Sequence, residues 1–176
     1  MSNQPLTVDK ETANAFFKNV FPWMPDLFAA EQEYQRVAEI TLPIEAAAVA
    51  TVYPDIHTSN WQEKHEKYKS YTPFSVIPMN EDDTTNPESL FMKAYAVYKA
   101  NIAELQKDGT LPMCRGGLIT TNDLSPMLVA DSNVRDIKRE IVQMFERTFR
   151  VTITMLEKWD EVISITKKAY AERIIK

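Results

Sequence analysis

Glycine is nearly missing from this chain: three residues, all between positions 109 and 117. β-Rich folds need glycine at many tight turns, where a positive φ is required, so its scarcity argues for helices. Cysteine is scarcer still. A single Cys114 rules out an internal disulfide and suits a reducing compartment. The only histidines are His57 and His65, and no Glu-x-x-His occurs. Neither a zinc pattern nor the ligand set of a di-iron bundle can be assembled from these. Asn80-Glu81-Asp82-Asp83 lacks the alternation and central glycine of a calcium loop. No cofactor is expected.

Long apolar runs are also lacking. The longest, Ile44 to Tyr53, contains Glu45 and Thr51 and is far too short to span a membrane. The first ten residues, MSNQPLTVDK, show no basic segment leading into an apolar core, so no signal peptide is visible. A soluble, cytoplasmic protein is the expectation. With a net charge of −5 and no concentrated basic face, a nucleic-acid partner is not expected. Arg135, Lys138, Arg139, Arg147 and Arg150 do lie near one another. Asp136, Glu140 and Glu146 stand between them, a pattern of local pairs on a solvated face.

What the chain has is a C-terminal third, Asp131 to Ile175, without proline or glycine. Apolar residues recur there at helical spacing with an eleven-residue period: Val134, Phe145, Leu156; Ile137, Thr148, Trp159, Tyr170. Asp131 or Ser132 can cap the first turn, and Lys167, Lys168, Arg173 and Lys176 suit the last. The spacing predicts a helix over 131–175. Within it, Phe149, Val151, Ile153 and Met155 alternate with Arg150, Thr152 and Thr154, as in a strand. The helical flanks favour the helix. Unbroken, it would run roughly 65 Å, whereas a compact chain of this length is about 40 Å across. It must therefore bend or break around Arg147 to Thr154, or project and be covered by another subunit.

Prolines divide the remainder. Residues 1–8 read as a flexible arm and Asp9 to Val20 as a first helix, stopped by the apolar elbow Phe21-Pro22-Trp23-Met24-Pro25. Pro25 can open a second helix. Pro43 should interrupt it, leaving Ile44 to Ala50 as a short third. Ser59 and Gln62 resemble a capping box before a helix from Trp61 to Tyr68. Pro73 and Pro78 keep residues 71–86 irregular. Asn86-Pro87-Glu88 should start a helix reaching Lys107, with Leu90 among its inward residues and Asp108-Gly109 as its C-cap. The expected fold is all-α: one domain, 1–176, an irregular helical bundle with a long C-terminal helix and extended proline-containing connections.

Two classes of site follow. Cys114-Arg115-Gly116-Gly117 could turn backbone N–H groups and a guanidinium onto a phosphate or carboxylate, but lacks the Lys-Ser/Thr of a P-loop. Cys114 with His57 or His65 could form a nucleophilic pair if the fold brought them together. The aromatics Trp23, Trp61, Trp159, Phe145, Phe149 and Tyr170 could line an apolar pocket, although such stripes are more often core. The other class is an interface through Trp23 and Met24 of the elbow and Phe145, Phe149, Ile153 and Trp159 of the C-terminal stretch. No catalytic constellation stands out. The expectation is a non-catalytic assembly or interaction subunit, self-associating or docking into a larger protein complex. The alternative is a small-ligand-binding protein or enzyme using the Cys114–Gly117 loop.

Overall fold

In a computed structural model, the structure describes residues 9–113 and 126–175. They form α-helices joined by short 3-10 turns, with no strand among the described residues. The helices are α1 (Lys10–Val20), α2 (Met24–Ala50), α3 (Trp61–Lys67), α4 (Leu90–Lys107), α5 (Pro126–Phe149) and α6 (Leu156–Ile175). The all-α expectation holds. Two compact units are present: Met1–Glu33 with Asp131–Lys176, and Tyr34–Ala130.

The first unit is built on aromatic rings. Asp9 caps α1, its carboxylate accepting from the Thr12 N–H at 2.9 Å and the Thr12 hydroxyl at 2.6 Å. These bonds hold the Asp9 carboxyl below its ordinary range. Phe16, on the buried face of α1, meets Phe145 edge-to-face at 5.4 Å and Phe149 at 5.7 Å. Phe21, at the far end, meets Tyr170 at 5.4 Å. Along an unbroken helix Phe149 and Tyr170 would stand roughly 30 Å apart. Phe16 and Phe21 are only five residues apart on one helical run, so the chain must fold back between Phe149 and Tyr170.

It does so at Arg150. The expected 131–175 helix is two helices, α5 and α6, joined by a non-helical hinge over Arg150 to Met155. Arg150 takes φ 53° and the Val151 N–H donates to the Glu146 carbonyl at 3.1 Å, which is the closing bond of a Schellman C-cap. The Glu146 carboxylate then accepts from the Ile153 N–H at 2.7 Å. Four β-branched residues in a row, Val151 to Thr154, weaken helix propensity where the cap forms. Of the two outcomes open in the sequence, bend or projection, the chain takes the break.

At its other end α5 begins at Pro126, ahead of the expected Asp131 or Ser132 cap. Asp131 lies inside the helix and pairs with Arg135 at 2.9 Å.

In the second unit, α2 runs through Pro43 without interruption, contrary to expectation. An internal proline costs about 3 kcal/mol. Val37, Ala38, Thr41, Ala48 and Val49 on both sides of it are buried. At roughly 1.5–3 kcal/mol for each large aliphatic side chain, keeping that face in register outweighs the proline. Val37, Ala38 and Ala48 pack with Tyr98, Ile102, Leu111, Met127 and Ala130. Val49, Ile56, Ile77 and Ala94 form a second cluster, and Phe74 touches both. Phe74 also meets Phe91 at 5.4 Å and Tyr98 edge-to-face at 5.4 Å.

Two helix starts differ from the expected ones. Ser89, not Asn86, caps α4: its hydroxyl accepts from the Met92 N–H at 3.1 Å and donates to the Asp83 carbonyl at 2.6 Å. Asn86 instead accepts from the Glu88 N–H, making a turn, and Leu90 is exposed rather than inward. The Ser59–Gln62 capping box does not form, because the Ser59 hydroxyl donates back to the Ile56 carbonyl at 2.7 Å. The Asp108-Gly109 C-cap is as expected, with Gly109 at φ 84°.

The hinge can be tested through Arg150. In a left-handed cap, Arg150→Gly removes a steric cost and should raise stability by about 0.5–1 kcal/mol. In a continuous helix the same change would lower stability by a similar amount. Thermal unfolding gives the sign, and a lowered midpoint would contradict the hinge.

Candidate functional site

Among the described residues no group of three or more His, Cys, Asp or Glu side chains is placed to hold a metal ion. No helix is long and apolar enough to cross a membrane. The loop candidates Cys114, Arg115, Gly116 and Gly117 lie outside the described residues. Their two possible histidine partners are committed differently. His65 is buried on α3, its Nδ1 2.7 Å from the Tyr71 carbonyl, a bond that ties the helix to the loop behind it. His57 is exposed beside a cavity of about 240 Å³ bordered by Ala46, Ala50, Trp61 and Gln62.

The interface candidates divide by burial. Met24 is fully enclosed, so it offers no surface to a partner. Trp23, beside it in the 3-10 turn Phe21–Trp23, is half-buried. Phe145 and Phe149 are half-buried and largely engaged with Phe16 and each other, their ring centroids 4.5 Å apart. Of the aromatics expected to line a pocket, Phe145 and Phe149 pack on Phe16, and Phe17 carries the ring contacts on from Phe16 to Phe21 and Tyr170. Ile153 and Trp159 are half-buried, at the hinge and at the start of α6.

Between those two lie the residues that sequence reasoning left out. Met155 is 57% exposed and Leu156 is 72% exposed. Leu156 was hidden by the eleven-residue stripe, which puts it on the inward face of a continuous helix. Breaking the helix at Arg150 resets the phase and turns Leu156 outward. The strand-like alternation of Val151 to Met155 was the available signal. Thr152 and Thr154 are exposed while Val151 and Ile153 are half-buried, so the hinge itself has two faces. One ion pair lies near this corner: Lys158 bonds Glu161 at 3.0 Å on the first turns of α6.

A chemically distinctive group sits in the second unit. Glu45, on α2, is 5% exposed, and burial pushes its carboxyl from 4.5 up to about 7. Hydrogen bonds from the Thr72 side chain and the Phe74 N–H oppose that rise. Those donors belong to the 3-10 turn Pro73–Val76, whose own capping box joins Thr72 to Ser75. Glu45 therefore pins the segment that carries Phe74 into the core.

The sign of its pH dependence follows. Between about 4.5 and about 7 the folded chain keeps a proton on Glu45 that the unfolded chain releases. Stability therefore falls as pH rises through that window and levels off above it. The full effect is roughly 3 kcal/mol. Glu45→Gln retains an acceptor for both donors without the charge, so its stability should be flatter across the window and higher than wild type at pH 8. Denaturant unfolding at pH 5 and pH 8 checks this; parallel behaviour of the two proteins would refute it. No family model, curated protein or solved structure matches this chain.

Proposed function

We propose that this chain is a non-catalytic assembly subunit that self-associates, or docks into a larger protein complex, through the corner between α5 and α6. The observation that carries this reading is the exposure of Met155 and Leu156, next to a hinge of alternating β-branched residues. Leu156 leaves most of its side chain in water, and covering it would contribute roughly 1.5–3 kcal/mol. The non-helical segment Val151 to Met155, partly exposed, adds backbone that a partner can contact beside these side chains. Trp159 and Ile153 flank the corner with further apolar surface.

A projecting helix would have demanded a cover, and the hinge removes that demand. The exposed corner replaces it. The acidic net charge sets no obstacle, because the exposed charges near the corner include the compensating Lys158–Glu161 pair.

Multi-angle light scattering tests the proposal. Wild type should run as a discrete oligomer, and the double variant Met155→Asp, Leu156→Asp should run as a folded 20.3 kDa monomer. Cys114→Ala and Arg115→Ala should leave the oligomer unchanged; a ligand-binding loop at 114–117 would instead make those variants the sensitive ones. A wild-type monomer at every concentration, with no partner released by the double variant, would overturn the assembly reading.

A further inference from the structure

A second surface lies in the first unit, built by the elbow and the last turns of α6. Phe17 stacks on Phe21 at 5.4 Å, and Phe21 meets the edge of Tyr170 at 5.4 Å. With Pro22 and Pro25 these rings line an open groove of about 720 Å³, and Lys18 and Arg173 border it. The Arg173 guanidinium carbon stands 5.4 Å from the Phe21 ring centre and 5.9 Å from that of Tyr170. Two aromatic faces thus hold it by cation–π attraction. A guanidinium resting on rings keeps its N–H edge free for a planar, two-oxygen acceptor. Neither Arg173 nor Lys18 makes an ion pair among the described residues.

From this geometry we infer that the groove binds an acidic peptide segment of a partner protein: an aromatic or large aliphatic side chain on the Phe17–Phe21–Tyr170 floor, with neighbouring carboxylates on Arg173 and Lys18. Charge complementarity selects the acid. Lys18 and Arg173, neither in an ion pair among the described residues, put two cations beside one apolar groove and favour anionic groups at short range. Openness selects a peptide over a small molecule. Drug-sized ligands are held in clefts that bury most of their surface, whereas Lys18, Pro22, Pro25 and Arg173 are all exposed. The two prolines add a rigid apolar wall that loses little entropy when covered. The elbow thus offers its prolines and Phe21 to a partner, while its Met24 faces the core.

The inference does not depend on the α5–α6 corner. Leu156→Asp should leave groove binding intact, so the two proposals fail separately. The test is isothermal titration calorimetry of the full chain with the capped peptide acetyl-Ser-Glu-Glu-Phe-Asp-Glu-Ser-amide. A control peptide carries Gln and Asn at the acidic positions. Saturable binding of the acidic peptide alone is expected, weakened about tenfold by Arg173→Gln and further by Lys18→Gln. Raising salt should weaken it too, since the ion pairs are exposed. Both side chains are exposed, so these variants should fold. Absence of saturation would overturn the inference. So would binding that both Gln variants leave unchanged, or saturable binding of phenylacetate with the same Arg173 dependence when the peptide does not bind.

Discussion

The first unit depends on what Glu146 does to the end of α5. Its carbonyl accepts the Val151 N–H and its carboxylate accepts the Ile153 N–H at 2.7 Å. Arg150 is thereby held in a left-handed conformation that an L side chain otherwise avoids. Those bonds end one helix and let another begin. Because the chain folds back there, α6 returns to α1. The return places Tyr170 against Phe21 and Lys167 2.7 Å from Glu31. Without the break, the α5 end that meets Phe16 and the α6 end that meets Phe21 could not both reach one short helix.

The same fold-back creates both candidate interaction surfaces. At the hinge it exposes Met155 and Leu156, the second of which a continuous helix would have put on its inward stripe. Beyond the hinge it brings Arg173 over the rings of Phe21 and Tyr170. The two surfaces differ in chemistry. The corner offers exposed Met155 and Leu156, suited to a second apolar face; the groove joins aromatic rings to Lys18 and Arg173, suited to an acidic segment.

In the second unit, satisfied polar groups hold an otherwise apolar core. Glu45 accepts from Thr72 and Phe74, Ser89 ties α4 to Asp83, and His65 ties α3 to Tyr71. Each joins an α-helix to a segment outside the α-helices and near a proline; the Glu45 bonds span 27 and 29 positions, whereas the other two link residues six apart. Thr41 is the exception: its buried hydroxyl has no hydrogen-bond partner among the described residues. Pro43 shows the opposite balance, a local cost overridden by the burial of residues before and after it.

The sequence by itself determined the helical class, through scarce glycine and apolar spacing near 3.6 residues. It also determined the first helix up to Val20, the Asp108-Gly109 stop, and the apolar character of the elbow. Those features rest on interactions within a few residues, which spacing and side-chain chemistry expose. Where α5 ends, whether Pro43 breaks α2, and which elbow residues face outward were decided by tertiary structure alone. So was the meeting of Arg173 with Phe21. Periodicity carries straight through Arg150 because the eleven-residue stripe fits either one helix or two. The β-branched run Val151 to Thr154 weakens the helix there, but the Glu146 bonds and the return of α6 to α1 are what make the break. Leu156 shows the consequence: its type was legible from the start, but its exposure depends on a backbone reversal six residues earlier.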